Sequence, residues 1–232
     1  MPELILNIET STDVCAVSLQ DGSDFIGERV ANEPMSHTRM LTVLIETLLK
    51  ECDVSIRNLS AVAVSAGPGS YTGLRVGVST AKGICYAGGL PLIAVSTLRG
   101  IADKMIEREG KNDRRTYYVP MLDARRMEVY TALYDGVGRE IHPIHALILE
   151  EKVFLSYLEE ADRIVVGGPG ADKFVAHFKP STIEHMEVPV RASNMIPAAW
   201  RACLNKDFVD LAYFEPHYLK SPNITISKKS LF

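Results

Sequence analysis

The sequence lacks the features of a secreted or membrane protein. Its four cysteines, Cys15, Cys52, Cys85 and Cys203, are far apart, and no two of them form a Cys-x-x-Cys pair. Isolated thiols within apolar sequence are usually buried and reduced, which argues against a disulfide framework. No apolar run approaches the roughly 20 residues that span a bilayer, and no signal-peptide pattern is present at the first residues. These absences predict a soluble protein of a reducing compartment, the cytoplasm.

A concentrated positive charge is missing as well. The formal net charge is −4 at pH 7, and the basic pairs Arg114-Arg115, Arg125-Arg126 and Lys228-Lys229 are far from one another. A protein that binds RNA strongly by itself usually carries a basic stripe that follows the phosphates. The composition therefore argues against strong, independent RNA binding, while a contribution to a shared RNA-binding surface stays open. A chain of 232 residues suffices for one large or two small domains.

One stretch in the first half organises the rest of the chain. Residues 62–66 form a short apolar run, Gly67-Pro68-Gly69 ends it, and a run with few breakers continues to Ala87. This order predicts a buried strand, a tight turn and a helix that begins near Ser70 or Thr72, both N-cap residues. A glycine turn before a helix N-terminus offers free backbone N–H groups to an anion. Phosphate binding and a purely structural turn are both compatible with the sequence.

The established nucleotide and nucleophile signatures do not fit this turn. A Walker A loop beginning at Gly67 would need Gly-Lys-Ser/Thr where the chain has Thr72-Gly73-Leu74. The dinucleotide fingerprint needs a glycine three residues after Gly69, and Thr72 stands there. Ser70 lies in no Gly-x-Ser-x-Gly elbow. The familiar P-loop, Rossmann and serine-hydrolase chemistries are therefore not indicated.

Two helices of the first half carry stripes suited to close packing. In the helix after the turn, Gly73, Gly77 and Ala81 recur every four residues, with Thr80 beside them. Small side chains on one stripe let another backbone approach, either from the same domain or from a second chain. Residues 35–51 predict an amphipathic helix with a main apolar face and a weaker second stripe. That second stripe consists of Met40, Val43 and Thr47.

The two halves of the chain repeat one order of predicted elements. Residues 1–108 predict β-β-β-α-β-α-β-α, and the charged segment 109–116 is the predicted linker. Residues 109–232 repeat the strand meander and a second glycine turn, Gly167-Gly168-Pro169-Gly170. We therefore predict an α/β protein of two halves, each a mixed sheet with flanking helices. Its later elements are strands at 117–122, 128–134, 139–144 and 163–166, and helices at 152–159 and 197–206, the last packing back towards the first half.

This organisation resembles the fold of actin, the sugar kinases and Hsp70. Three motifs are similar, more specifically, to the TsaB family, also called YeaZ: Ile8-Glu9-Thr10-Ser11, the run from Gly67 to Arg75, and Asp123-Ala124-Arg125. The resemblance covers nearly the whole chain, and the glycine-rich run is its most specific part. It implies a function in making N6-threonylcarbamoyladenosine (t6A) at position 37 of tRNAs that read ANN codons.

The resemblance also implies partners and sites. TsaB pairs with the related catalytic subunit TsaD, the ATPase TsaE joins the pair, tRNA is bound only by the complex, and isolated TsaB forms a homodimer. The implied partner interface comprises Met40, Val43, Thr47, Gly73, Val76, Gly77, Thr80 and Ala81. The implied nucleotide or phosphate loop, with ATP or ADP as its ligand at the complex interface, comprises Thr10, Ser11, Thr12, Gly67, Gly69, Ser70 and Thr72.

Residue types separate this chain from TsaD itself. After Gly-Leu-Pro-Leu, TsaD carries a metal-binding pair of histidines four residues apart on one helix face. The segment Gly89 to Val95 aligns with that pattern, but Thr97 and Ile101 stand at the two ligand positions. Isoleucine cannot ligate a metal, so we predict a non-catalytic member without a metal site. The alternatives are a phosphotransferase that uses Asp13 or Asp123 and an M22-type metallopeptidase.

Overall fold

Ten β-strands and five α-helices make up the described part of the protein, arranged as two sheets with helices on their faces. The computed structural model describes residues 3–31, 37–110, 115–149, 161–178 and 183–220. The predicted helix at 152–159 lies outside these ranges. No helix within them is long and apolar enough to cross a membrane.

The sheet of the first half contains β1 (Leu4–Glu9), β2 (Cys15–Asp21), β3 (Asp24–Ala31), β4 (Ala61–Gly67) and β5 (Leu92–Ser96). The spatial order is β3-β2-β1-β4-β5. The first three strands form the predicted antiparallel meander, whereas β1, β4 and β5 are parallel. Helix α1 (His37–Glu51) leads from β3 to β4, and α2 (Tyr71–Gly88) leads from β4 to β5. Each parallel connection thus has the crossover that it needs.

The predicted packing of the first half is confirmed. Every residue of β1 and of β4 is buried, as expected for central strands covered on both faces. Helix α1 buries Leu41, Leu44 and Leu48 in the core that it shares with the sheet. Ser70, not Thr72, caps α2, because its hydroxyl accepts a hydrogen bond from the Gly73 N–H.

The second half repeats the sheet of the first. Its strands are β6 (Thr116–Asp123), β7 (Glu128–Asp135), β8 (Glu140–Ile148), β9 (Arg163–Gly167) and β10 (Ile183–Met186), in the equivalent order β8-β7-β6-β9-β10. Helix α3 (Thr97–Glu109) precedes this sheet, and α4 (Pro169–Phe178) follows β9 directly. The shared order confirms the predicted fold class and the internal repeat.

Two helices lie where the halves meet. Helix α3 packs Leu98, Ile101 and Met105 against the second sheet. Helix α5 (Ile196–Asn205) packs on the first sheet, where Ala199 lies in the cluster formed by β1, β4 and β5. The chain therefore enters the second half through α3 and returns to the first half before α5.

A carboxylate joins these two helices. Asp103 of α3 forms two ion pairs, one with Arg99 Nη2 at 2.8 Å and one with Arg201 Nη2, from α5, at 2.5 Å. Arg99 also donates to the Gly138 carbonyl at 2.5 Å. The Asp103 side chain is only 5% exposed and Arg201 is 48% exposed, so this joint between the halves has a buried carboxylate and a partly exposed arginine.

Candidate functional site

A cavity of about 720 Å³ lies between the two halves. One wall is the β1–β2 turn together with the Gly-Pro-Gly loop before α2, and a second wall is the turn after β6 with the start of α4. The end of the described chain, residues 217–220, forms a third wall. Five of the seven residues predicted for a phosphate loop line this cavity: Ser11, Thr12, Gly69, Ser70 and Thr72.

The other two predicted loop residues support the site from behind. Thr10 is fully buried, and its N–H donates to Ser65 Oγ at 3.2 Å. Gly67 has a φ of +102°, and a Cβ there would lie 2.9 Å from the His217 carbonyl oxygen. Neither residue lines the cavity, so these two positions support its wall from behind.

The β1–β2 turn and the Gly-Pro-Gly loop touch through their backbones. The Ser70 N–H donates to the Ser11 carbonyl at 2.6 Å, and a Cβ at Gly69 would overlap that same oxygen. The Gly73 N–H is taken by Ser70 Oγ at 3.3 Å. Two amides that an anion at this helix start could use are therefore already bonded within the chain. The loop has a structural function irrespective of any ligand.

Glu9 holds the turn from below. This carboxylate at the end of β1 is 1% exposed, and its Oε1 accepts from the Ser11 N–H at 2.6 Å. Burial raises the pKa of Glu9 above 4.5, while hydrogen bonds from Ser11 and Ser65 act in the opposite direction. Glu9 is therefore a buried group that positions the cavity wall without lining it.

The second wall is a turn stabilised by one lysine. Asp123 Oδ1 accepts from the Arg125 N–H at 2.6 Å and from Lys173 Nζ, on α4, at 2.7 Å. Lys173 also donates to the carbonyls of Arg126 and Glu128. Arg125 and Arg126 both have positive φ values, 68° and 52°, which this network offsets. The Asp123 carboxylate is thus used to hold its own turn.

Residues 213–220, which we call the C-terminal strap, complete the cavity. The His217 N–H donates to the Ala66 carbonyl at 2.8 Å. The Tyr218 ring lies 4.8 Å from the ring of Tyr71, centroid to centroid. The strap contains no helix or strand. Its contribution to the site was missed, because an irregular segment has no periodicity that reveals its contacts.

The glycine stripe of α2 faces its own chain. A Cβ at Gly73 would overlap the Thr10 carbonyl oxygen, and one at Gly77 would overlap Thr10 Oγ1. Ala81 is fully buried in the core. The sequence left open whether the backbone that approaches this stripe comes from the same domain or from a second chain. In the structure it comes from the same domain. These three residues therefore do not form an accessible interface, and that part of the predicted interface is corrected.

The other predicted interface residues lie on an accessible face of α1 and α2. Val43 is 48% exposed. A Cβ added at Gly83, on the outward side of α2, would meet no atom of the described residues within 4 Å. Half-buried residues complete this face, which we call the outer helix face: Met40, Thr47, Val76 and Thr80.

The two positions that the resemblance aligns with metal ligands of TsaD lie in the protein interior. Thr97 is 2% exposed and Ile101 is 1% exposed, and Ile101 packs in the core of the second half. Within the described ranges, no group of three or more His, Cys, Asp or Glu residues is arranged to hold a metal ion. All four cysteines are free thiols.

Comparisons with known proteins give consistent matches. The TsaD family model, tRNA N6-adenosine threonylcarbamoyltransferase, matches residues 31–191. The tRNA threonylcarbamoyladenosine biosynthesis protein TsaB of Bacillus subtilis is 33% identical over 70% of this chain and 69% of its own length. TsaB of Escherichia coli is 29% identical over 94% of both chains. A crystal structure from Pseudomonas aeruginosa, of a protein with similarity to peptidase YeaZ, has a TM-score of 0.80 at 25% identity and covers 94% of this chain and all of its own. The chain therefore belongs to the TsaB (YeaZ) family of tRNA threonylcarbamoyladenosine biosynthesis proteins, which shares its sequence model with TsaD.

Proposed function

We propose that this protein is a non-catalytic subunit of the machinery that installs the threonylcarbamoyl group on N6 of A37 in tRNAs reading ANN codons. It pairs with TsaD and holds that subunit in its working conformation. The pair recruits TsaE and binds tRNA as a complex in the cytoplasm. Both the pairing with TsaD and the homodimer of the isolated chain use the outer helix face. The family membership supports the pathway, and the features below support the division of labour.

The observation that carries this proposal is the composition of the start of α3. TsaD holds its metal with imidazoles at the positions that Thr97 and Ile101 occupy here. Ile101 has no donor atom and packs against the core of the second half. A histidine at only one of the two positions would not give a ligand pair. A side chain at position 101 would also have to leave the core to reach solvent. The catalytic metal thus belongs to the partner.

The outer helix face supports pairing with TsaD. TsaD shares a family model with this chain, so a related pair of helices on TsaD gives a quasi-symmetric contact between the two subunits. Val43 presents exposed apolar surface, and burying a valine side chain contributes about 1.5–3 kcal/mol. Gly83 leaves room for a helix to approach closely.

The cavity gives the alternative, a phosphotransferase of the same fold, a specific place to act. A kinase needs a carboxylate that is free to accept the proton of the substrate hydroxyl. Asp123 is bonded to Lys173 and to the Arg125 N–H, which favours a structural carboxylate. Asp13 is exposed at the cavity wall and is the candidate that an activity test must address. Under our proposal ATP or ADP acts at the interface of the complex rather than as a substrate of this chain.

Reconstitution separates these functions. TsaD, TsaE, tRNA and the threonylcarbamoyl-adenylate donor are incubated with and without this protein, and t6A is quantified by mass spectrometry of digested tRNA. We expect t6A only when this chain and TsaD are both present, and no phosphoryl transfer by this chain from ATP–Mg²⁺ to sugars. Formation of t6A by this chain alone, or phosphoryl transfer that the Asp13→Asn substitution abolishes, would overturn the proposal.

A further inference from the structure

The C-terminal strap touches both halves of the protein. Before it begins, Val209 forms an antiparallel bridge to Leu92 at the edge of the first sheet. Lys82 of α2 then donates to the carbonyls of Ala212 and Phe214, both at 3.1 Å. This part of the chain therefore runs on the first half, alongside α2.

The middle of the strap is bound at the mouth of the cavity. The His217 N–H bonds to Ala66, the residue before the Gly-Pro-Gly loop, and the His217 carbonyl lies over Gly67. Any side chain at position 67 would meet that carbonyl, so the glycine permits the contact. One residue further on, Tyr218 packs on Tyr71 at the first position of α2.

The end of the strap reaches the second half. Lys220 forms an ion pair with Glu128 at the start of β7, and its Nζ lies 5.7 Å from the centroid of the Tyr130 ring. Both charged side chains of this pair are partly buried, at 37% and 29% exposure. A surface tail would not need contacts with strands of both sheets. The strap is therefore a third connection between the halves, in addition to α3 and the return before α5.

We propose that the C-terminal strap is a latch that fixes the two halves relative to each other across the cavity and thereby sets how far the cavity opens. Its fixed end is the Ala66–His217 hydrogen bond on the first half, and its releasable end is the Lys220–Glu128 pair on the second half. Release of the second contact frees the halves to move about the joint formed by α3 and α5. This inference is independent of the proposed function, since it concerns the motion of the chain by itself.

Hydrogen exchange of the full-length chain, followed by mass spectrometry, tests the latch. The variant combines Tyr218→Ala with Lys220→Ala. We expect peptides from the strap, from residues 66–72 and from residues 122–130 to exchange about tenfold faster, while the central strand residues 61–65 keep their protection. Faster exchange confined to residues 213–220 would show a tail that constrains nothing, and would overturn the proposal.

Two further variants control for loss of a lysine and for misfolding. Lys104→Ala removes a lysine from an ion pair with Glu107 that lies within α3, and should leave both cavity walls unchanged. Compared with Lys220→Glu alone, the charge swap Lys220→Glu with Glu128→Lys should restore slow exchange at both walls. If the Tyr218→Ala, Lys220→Ala variant also loses protection at residues 61–65, the swap decides. Restored protection supports the latch, and fast exchange at residues 66–72 in the swap contradicts it.

Discussion

Glu9 positions the β1–β2 turn, but ionisation of its buried carboxyl group destabilises the folded protein. Burial raises the pKa of Glu9 above 4.5 in the folded protein, so the folded state binds the proton more tightly than the unfolded chain does. The stabilising contribution of the protonated carboxyl is complete below the unfolded pKa and is lost as pH rises through the folded pKa. We predict that Glu9→Gln, which keeps an acceptor for the Ser11 N–H, is more stable than the parent protein at pH 7.

Denaturant unfolding between pH 4 and pH 8 measures this effect. The difference in unfolding free energy between Glu9→Gln and the parent should grow with pH from about 4.5 upwards and then become constant. The matched control is Glu46→Gln at an exposed position of α1. A difference that stays constant over the whole range, or that shrinks as pH rises, would show that Glu9 does not resist ionisation.

Two glycines of α2 predict opposite outcomes for the same substitution. Gly77→Ala places a methyl group against Thr10 Oγ1, in the buried residue that follows β1, and such overpacking costs about 1–3 kcal/mol. Gly83→Ala adds a methyl group in open space and removes a helix-interior glycine, which stabilises by up to about 1 kcal/mol. Chemical unfolding of the two variants should therefore bracket the parent protein. Equal stabilities would mean that α2 can move away from β1.

At the scale of elements, the outer helix face of α1 and α2 is the part of the fold best suited to a partner. We predict that Val43→Glu and Gly83→Leu each weaken binding to TsaD by about tenfold or more, because they place a charge or bulk where the partner packs. Isothermal titration calorimetry gives the dissociation constants. Thermal unfolding should show that both variants stay folded, since neither position lies in the core.

Phe25→Glu provides the control for that experiment. Phe25 is 56% exposed on β3, at the edge of the first sheet and away from α2, so the substitution adds a similar charge to a different apolar position. It should bind TsaD as the parent does. If Phe25→Glu weakens binding and the two helix variants do not, the partner uses the edge of the sheet instead.

The sequence predicted most elements, and its failures have local causes. Strands β1 to β5 and helices α1 and α2 were recognisable because apolar periodicity and turn residues agree there. Helix α4 was missed because its first two residues, Pro169 and Gly170, are turn formers and the sequence pattern predicts a turn there. Strand β10, Ile183–Met186, is too short and polar for a period-two signal.

At the scale of the whole molecule, the site could be predicted on one side only. The turn after β1 and the Gly-Pro-Gly loop follow two predicted strands, β1 and β4, which are parallel neighbours in the sheet, so the turn and the loop meet at the same edge. The bond from Lys173 to Asp123 and the strap contact from His217 to Ala66 join residues far apart in the sequence. Such contacts depend on the tertiary packing of segments that are distant in the sequence, which composition and periodicity do not encode.

We predict that Asp103, which joins the two halves through α3 and α5, contributes to the free energy of unfolding. Asp103→Ala leaves Arg99 and Arg201 close together without the carboxylate that joins α3 to α5. Because Arg201 is 48% exposed and solvent screens its charge, the expected loss is about 1–3 kcal/mol rather than that of a fully buried pair. Asp103→Asn, which keeps one acceptor, should lose less. Urea unfolding of both variants measures the difference.

Combining Asp103→Ala with Lys220→Ala tests whether the joint and the C-terminal strap share one task. Substitutions at distant, independent sites add within about 0.3–0.5 kcal/mol. If both connections hold the halves together, each single variant still keeps the other connection, and only the double variant releases the halves. We therefore expect the double variant to lose more unfolding free energy than the two single variants together, and to unfold in two transitions. Strict additivity with a single transition would mean that the strap adds nothing to the union of the halves beyond its own contacts.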